Sequence, residues 1–304
     1  MRHQLLVIML LAPIVGDAQQ VADTGYLPTV TVRADPTLRG PLVLLDEAHH
    51  NFHTVAGRYA PFVKLLQRDG YVVHPNRTRF SRASLKAAKV LVIANAIAGA
   101  NEQRWSLPIL PAFTDNEVAE VREWVREGGS LLLVADHMPF AGAAEKLAFE
   151  FGVVFANGFA TDSSGGTGPI RFRRNDQSLG SHRIVRGRSS NERVDSVMSF
   201  TGQAFRLTTG GGVPLLTLPR NTTVLLPSVA WQFSDSTPRV RGDWMLQGVA
   251  IEFGRGRIVM LGEAAMLSAQ VQGPERRPFG MNHPGAPQNA QFALNIVHWL
   301  ARQD

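Results

Sequence analysis

Eight consecutive residues hold most of the side chains that could do chemistry, Asp46-Glu47-Ala48-His49-His50-Asn51-Phe52-His53. They supply two carboxylates, three imidazoles and one amide. An apolar run typical of a buried strand precedes them, and an apolar pattern predicts a helix over Thr54–Arg68. Ligands of open α/β sheets bind where the carboxyl ends of the strands meet. We therefore predict a functional site at the point where this strand passes to its helix.

Further predicted strands also end in polar residues. These residues are Asn95, Asp136-His137 and Gly262-Glu263. If the strands are parallel neighbours, all of these side chains lie along one edge of the sheet. The sequence thus predicts one polar site that is assembled from residues far apart in the chain.

This combination of imidazoles and carboxylates predicts a site for one divalent metal ion. Zinc and similar ions bind His nitrogen and Asp or Glu oxygen, and they lower the pKa of bound water to about 7. The predicted metal ligands are His49, His53, Asp136 and His137.

The other polar residues of the predicted site receive catalytic or binding roles. Glu47 or Glu263 is the predicted general base, and Asn51 and Asn95 are predicted to bind substrate. Two other hypotheses fit the same residues, a polar pocket without metal and a purely structural network. Asp or Asn after a strand commonly caps a helix, and no His-Glu-x-x-His motif is present. The cofactor therefore stays unknown.

A second candidate site lies in the loop before the last predicted helix. Asn282, His283 and Asn289 are polar residues among Gly and Pro, and we predict that they bind substrate. The free amides of the following helix N-terminus favour an anionic or hydroxyl-rich ligand. The alternative is an ordinary loop with a helix cap.

The composition excludes several classes of function. The chain has no cysteine, which removes thiol catalysis and disulfides. No Gly-x-Ser-x-Gly elbow and no Gly-Lys-Ser/Thr phosphate loop occurs. The net charge is +6, with arginines concentrated over residues 171–193. Too few aromatic residues accompany them for a stacking surface, so we predict a solvated surface and no nucleic-acid partner.

The N-terminus has the pattern of a signal peptide over residues 1–18. A basic start is followed by an apolar stretch from Leu5 to Val15, and then by Gly16-Asp17-Ala18 as a cleavage site. An uncleaved anchor is the alternative. No later segment is long and apolar enough to span a bilayer. We predict a periplasmic or secreted protein without a membrane span in the mature chain.

The remaining sequence predicts an α/β domain over residues 41–304, after an N-terminal arm at residues 19–40. Apolar strands alternate with amphipathic helices, which predicts a parallel sheet with helices on both faces. Residues 156–250 differ in composition and predict an inserted β-rich subdomain. Gly254-Arg255-Gly256 predicts a hairpin, and Pro287 is expected in the first turn of the last helix.

Several of these motifs resemble those of an uncharacterised bacterial family in the class I glutamine amidotransferase-like superfamily. The motifs are the stretch from Asp46 to Thr54, Gly57-Arg58-Tyr59, the stretch from Ala135 to Phe140, Gly262-Glu263-Ala264-Ala265-Met266 and Asn289-Ala290-Gln291-Phe292. The resemblance covers most of residues 41–302 and implies a flavodoxin-like sheet. Amidotransferases of this superfamily use a cysteine on a sharp turn after a central strand. Asn95-Ala96 occupies the comparable turn here, so glutamine hydrolysis by that mechanism is excluded.

Other members of the superfamily also lack the cysteine and suggest a carbohydrate link. They include trehalose-utilisation proteins and the trimerisation domains of β-galactosidases, so this link rests on analogy of fold. Our first hypothesis is an exported hydrolase whose loop at residues 163–168 covers the site. The second is a non-catalytic protein that binds a glycan or cell-envelope ligand, and the third is a structural partner. Trp105, Trp231 and Trp244 are candidates for stacking on a sugar.

Overall fold

The computed structural model describes residues 20–162, 164–208 and 210–304. The predicted signal peptide over residues 1–18 lies outside the described residues, as does Ser163 of the predicted loop. Within the part of the chain that is described, no helix has both the length and the apolar character to cross a membrane.

The described residues form many short strands and six α-helices. The strands are β1 (Val21–Ala22), β2 (Leu42–Asp46), β3 (Val72–Asn76), β4 (Val90–Ala94), β5 (Ser130–Val134), β6 (Val153–Phe155), β7 (Phe159–Ala160), β8 (Ile170–Arg173), β9 (Ser196–Ser199), β10 (Phe205–Leu207), β11 (Gly212–Thr217), β12 (Thr223–Leu225), β13 (Arg239–Arg241), β14 (Leu246–Phe253), β15 (Gly256–Leu261), β16 (Ala269–Gln272) and β17 (Arg277–Gly280). The helices are α1 (Ala60–Asp69), α2 (Arg82–Leu85), α3 (Asp115–Arg126), α4 (Phe140–Phe149), α5 (Arg183–Arg186) and α6 (Asn289–Ala301).

The main sheet has the strand order β3-β2-β4-β5-β15-β14-β10-β6, with β11 also paired to β14. The strands from β3 to β15 in this order are parallel, and β14, β10, β11 and β6 pair antiparallel. The sheet is therefore mixed, whereas the sequence predicted a parallel sheet. The reason is the predicted hairpin, because a loop of two residues, Gly254 and Arg255, can join only antiparallel strands. Gly254 has a φ of 58°, and a Cβ there would lie 2.6 Å from the Arg126 carbonyl oxygen.

Helices cover both faces of this sheet, as predicted. Val43 and Leu45 of β2 point into the core that α1 and α6 cover, and Leu44 points into the core that α2, α3 and α4 cover. The central strand β4 is buried throughout. Because alternate side chains point to opposite faces, these continuous apolar strands are typical of a sheet buried on both sides.

Helix boundaries follow the local sequence in part. The predicted capping box at α3 is confirmed, since Thr114 Oγ1 accepts a hydrogen bond from the Glu117 amide and Glu117 Oε2 accepts one from the Thr114 amide. Helix α1 begins at Ala60, six residues after the predicted start at Thr54. The intervening chain forms turns, and Glu47 Oε1 holds the Val55 amide at 2.8 Å. Pro287 precedes α6 and is not in its first turn.

Residues 156–250 are rich in strands, as their composition indicates. β10, β11 and β14 join the main sheet, and β14 continues past residue 250. β7, β12 and β13 form a small sheet, and β8 pairs with β9. No strand forms over the predicted range Val229–Phe233, where only one isolated bridge joins Val229 to Ser106. Trp231 has a φ of 66° there, which an extended strand does not allow.

The N-terminal arm packs against the rest of the molecule. Its strand β1 pairs with β16, which in turn pairs with β17. Further along the arm, the Ala34 amide donates to Asp69 Oδ1 at 2.8 Å. The arm thus completes a small sheet beside the carboxyl ends of the parallel strands.

Candidate functional site

Four neighbouring strands bring the predicted polar residues to one edge of the sheet. β2, β4, β5 and β15 are adjacent and parallel, and they end on the same side. Asp46 is the last residue of β2, and Asn95, Asp136 and Glu263 come shortly after the other three strands. The expectation that these strands are parallel neighbours is confirmed. The side chains then divide between an open cleft and buried networks.

The cleft at this edge has a volume of about 990 Å³. Its polar lining includes His53, Arg58, Asn95, Asp136, His137, Thr167, Thr201 and Gln270. Its aromatic lining consists of Phe52, Trp105, Phe140, Phe200, Trp231 and Phe279. Small-molecule sites combine apolar walls with a few polar groups in this way.

His137 presents one ring nitrogen to the cleft. Its Nδ1 lies 2.6 Å from the Met138 carbonyl oxygen, which can only accept, so the proton belongs on Nδ1. Nε2 has no hydrogen bond to any described residue and therefore carries a free lone pair. The ring stacks on Phe159 at 4.5 Å and meets the edge of Trp231 at 4.7 Å, which fixes its orientation. His137 can thus accept a proton from a bound ligand or water.

Asp136 and Asn95 form the floor of the cleft beside His137. Asp136 Oδ1 accepts from the His137 amide at 2.8 Å, and Oδ2 accepts from the Ala264 amide at 3.3 Å. Asn95 has a φ of 53°, and its Oδ1 accepts from the Asp136 amide at 2.9 Å. The turn after β4 is therefore sharp, and its side-chain amide holds the neighbouring strand end in place.

His53 and Arg58 lie together on another side of the cleft. His53 is buried and packs at a tilt against Tyr59, with ring centres 4.6 Å apart, and its Nδ1 has no hydrogen-bond partner among the described residues. Burial, together with the positive charge of Arg58, lowers the pKa of His53 to about 3. Arg58 stacks on the Phe52 ring at 3.8 Å, and burial lowers the pKa of its guanidinium. The imidazole of His53 is therefore neutral at ordinary pH.

Gln270 contributes an amide that has no partner. It is fully buried in β16 and lines the cleft, and neither its Oε1 nor its Nε2 has a hydrogen bond in the part of the chain described. A buried amide without partners costs free energy, which a ligand in the cleft would recover.

Aromatic rings form a continuous wall on the same side as Arg58. Trp105 packs edge-on against Phe52 at 5.5 Å and against Phe140 at 5.2 Å. Trp231 is 46% exposed at the rim. The third candidate tryptophan, Trp244, is 65% exposed outside the cleft, with the Arg220 guanidinium over its ring. Two of the three predicted stacking residues therefore lie in the cleft.

His49, a predicted metal ligand, lies outside the cleft in a buried network. Its Nδ1 lies 2.8 Å from Asp46 Oδ2, and its Nε2 lies 2.9 Å from Glu117 Oε1. Although burial disfavours the charged ring, these two carboxylates raise the pKa of His49. Both nitrogens are occupied, so neither is free to bind a metal.

The predicted metal site is therefore not assembled as expected. His53, Asp136 and His137 line the cleft, but His49 faces away from it. Among the described residues, no group of three or more His, Asp or Glu side chains is arranged to hold a metal ion. The reason is Glu117 of α3, which binds the second nitrogen of His49 and could not be paired with it from the sequence.

Glu47 and Asn51 also hold the loop rather than line the cleft. Glu47 Oε1 accepts from the Val55 amide, and Oε2 pairs with Arg77 at 3.1 Å. Asn51 Oδ1 accepts from the His49 amide at 3.2 Å. The predicted base Glu47 and the predicted substrate ligand Asn51 thus fix the backbone between β2 and α1.

Glu263, the other predicted base, is fully buried beneath the cleft. The two oxygens of its carboxyl group accept from the Ala265 and Met266 amides, each at 2.8 Å. Burial, with the negative charge of Asp136, raises the pKa of Glu263 well above its usual range. Tyr59 packs nearby and donates to the Ala264 carbonyl at 3.1 Å. Glu263 therefore stabilises the turn after β15.

The second predicted site, in the loop before α6, is occupied by internal hydrogen bonds. Asn282 Nδ2 donates to Asp23 Oδ2 and to the Gln270 carbonyl, each at 2.9 Å. His283 Nδ1 accepts from the Gly285 amide. Asn289 is fully buried and bonds both backbone groups of Met198. These residues fix the arm and the start of α6, which is the alternative that the sequence left open.

Arg58 and Gln270 are the functional candidates that sequence analysis missed. Arg58 belongs to the quoted motif Gly57-Arg58-Tyr59, but no role followed from it. Gln270 lies in a short strand with two glutamines, and nothing in the neighbouring sequence indicates that its side chain is buried. Only the pairing of β16 with β1 and β17 places Gln270 at the wall of the cleft.

Comparison with known proteins gives a likeness of fold. No model of a protein family matches the chain, and no curated protein matches it. The chain is similar to the mmIFT52 N-terminal domain, with 12% identity and a TM-score of 0.57 over 85% of this chain and 96% of that one. It is also similar to a ThuA-like protein from Bacteroides uniformis, with 10% identity and a TM-score of 0.49 over 90% and 94%. At 12% identity, the likeness to the first of these structures is one of fold alone.

Proposed function

We propose that this protein binds a hydroxyl-rich small molecule, such as a glycan fragment, in the cleft at the strand ends. The single observation that carries the proposal is the composition of the cleft, which combines an aromatic wall with polar groups that have no partner among the described residues. Sugars present apolar ring faces to aromatic side chains and hydroxyls to polar ones. Trp105 and Trp231 supply the first kind of contact, and Gln270 and His137 supply the second.

We further propose that the chain belongs to the class I glutamine amidotransferase-like superfamily and has lost the catalytic cysteine. The order of its five parallel strands supports this, because numbering them along the chain gives the flavodoxin-like order 2-1-3-4-5. Asn95, with its left-handed backbone on the sharp turn after β4, supports this proposal, because the turn resembles the one on which amidotransferases place the cysteine.

Export is the third part of the proposal and rests on residues 1–18 alone. The pattern of a basic start, an apolar stretch and small residues before Gln19 supports it. Expression of the full chain, followed by cell fractionation and mass measurement, tests it. A periplasmic product that begins at Gln19 is the expected result, and an intact cytoplasmic product would contradict it.

Isothermal titration with a panel of oligosaccharides tests ligand binding. We expect Trp105→Ala and Trp231→Ala to weaken binding at least tenfold, because each removes a ring from the cleft wall. Trp244→Ala is the matched control, since Trp244 is exposed outside the cleft. Binding that is equally affected by all three variants, or by none, would contradict this location.

Hydrolysis is the second candidate function, and the free Nε2 of His137 favours it. That nitrogen could accept a proton from water while Asp136 holds the backbone beside it. If an oligosaccharide is cleaved, His137→Gln should lower kcat by about 100-fold or more while binding persists. Unchanged turnover in His137→Gln would remove this assignment. Turnover that is lost in a chelator and restored by zinc would support a metal-dependent step.

A further inference from the structure

We propose that the ligand of the cleft is an acidic sugar, whose carboxylate binds Arg58 and whose adjacent hydroxyl binds Gln270. This inference rests on the proposed function, since it names the class of hydroxyl-rich ligand that the same cleft accepts. Three features of the described residues carry it. They are a guanidinium without an acidic partner, a buried amide without any partner, and the aromatic wall of the cleft.

The Arg58 guanidinium is held so that its edge is available. Its face stacks on Phe52 with the Cζ atom 3.8 Å from the ring centre. Its buried Nε has no hydrogen-bond partner, and it forms no ion pair within the described part of the chain. A guanidinium over a ring keeps its N–H groups in its own plane, pointing away from the ring centre, where they fit the two oxygens of a carboxylate.

The acidic residues of the cleft do not neutralise Arg58, because each already has its own partners. Asp136 accepts hydrogen bonds from the His137 and Ala264 amides. Glu102 is at the rim, and its Oε2 lies 3.1 Å from His50 Nδ1. Arg58 therefore carries a partly buried positive charge that a bound anion would compensate.

Gln270 distinguishes a sugar acid from a simple anion. Its Nε2 can donate to a carboxylate, but its Oε1 needs a donor, which a carboxylate, a sulfate or the dianion of a phosphate monoester does not supply. A hydroxyl next to the carboxylate on the same ligand supplies that donor. Both atoms of this amide are buried and have no partner among the described residues, so a ligand with both groups satisfies it once a neighbouring side chain of the cleft wall moves aside.

The wall beside Arg58 is suited to the ring that would carry this carboxylate. Phe52 contacts the Arg58 guanidinium and also packs against Trp105, with ring centres 5.5 Å apart. A sugar ring on Trp105 therefore lies next to the guanidinium. A uronic acid, whose carboxylate projects from the ring, matches this arrangement.

Titration calorimetry with trigalacturonate and its fully methyl-esterified form tests the inference, because the two differ in charge and little in shape. We expect the acid to bind at least tenfold more tightly than the ester. Arg58→Gln should abolish that preference, and Arg58→Lys should reduce it because the planar fork is lost. Arg206→Gln is the matched control, as Arg206 is exposed on β10 and away from the cleft.

The outcomes separate this inference from the proposed function. Equal binding of acid and ester, still weakened by Trp105→Ala, would overturn the acidic ligand and leave a neutral glycan. Tighter binding of galactose 6-sulfate or 6-phosphate than of galacturonate would also overturn it. If Arg58→Gln does not fold, Gln270→Leu provides the test, and an unchanged affinity for the acid would contradict our assignment. Absence of binding by every saccharide would overturn both proposals.

Discussion

His49 shows how a single buried side chain can stabilise the loop that carries the cleft. It joins Asp46, at the end of β2, to Glu117, in the first turn of α3. We expect His49→Gln to lower the free energy of unfolding by about 3 kcal/mol, because removing one partner leaves buried carboxylates uncompensated. Urea unfolding of the purified protein measures this change. His74→Gln is the matched control, since His74 is exposed on β3.

The pH dependence of that difference follows from the sign of the pKa shift. The pKa of His49 is raised in the folded protein. The contribution of His49 to the free energy of unfolding is therefore fully present below the pKa of the unfolded state, about 6.5. It is lost as the pH rises through the folded pKa. The difference between wild type and His49→Gln should therefore be larger at pH 6 than at pH 9. A difference that grows with pH would show that His49 is neutral in the fold.

The candidate site was predictable from the sequence where residues follow strands. His53, Asn95, Asp136 and His137 reach the cleft because strand ends of a parallel sheet meet there. The sequence could not predict which of the polar residues line the cleft and which join a buried hydrogen-bond network. That outcome depends on contacts between residues far apart in the chain. His49 and Glu117 are separated by 68 positions, and nothing local pairs them.

At the scale of elements, predictability depended on how local each signal is. Strands β2, β4 and β5 are continuous apolar runs, and α3 begins at a capping box. The sequence therefore predicts these strands and the start of this helix correctly. The range Val229–Phe233 has strand-like residues but forms turns, because its backbone packs Trp231 against His137 and Phe159. Tertiary contacts override propensity at such positions.

The capping box of α3 allows a prediction for that helix. Thr114→Ala removes a hydroxyl that accepts a hydrogen bond from the Glu117 amide and donates one to the Glu117 carboxylate at 2.7 Å. We expect a loss of about 1 kcal/mol in the free energy of unfolding by urea. Asn116→Ala, at an exposed position of the same turn, is the control and should change stability far less. Equal losses in both variants would contradict a specific role for the cap.

At the scale of the whole molecule, Asp69 connects three distant segments. Its Oδ1 accepts from the Ala34 amide of the arm, and its Oδ2 lies 2.6 Å from His298 Nε2 of α6. Asp69→Ala should therefore release the arm as well as lower stability. We expect faster trypsin cleavage at the exposed Arg33 and Arg39 under native conditions. The control is Asp235→Ala, an exposed position, and equal cleavage rates in both variants would contradict the connection.

The cleft is itself a property of the whole molecule, which leads to a prediction about ligand and stability. Its walls come from the loop after β2, the turn after β5, the segment around Trp231 and strand β16. These segments adopt the required arrangement only in the folded chain, so a ligand binds the folded state and not the unfolded one.

At a concentration 100-fold above Kd, trigalacturonate should add about 2.7 kcal/mol to the free energy of unfolding. Chemical unfolding with and without the ligand measures this increase, and Arg58→Gln should lose most of it. If calorimetry detects binding but the midpoint of unfolding does not move, the ligand also binds the unfolded chain, and the folded cleft is not its site.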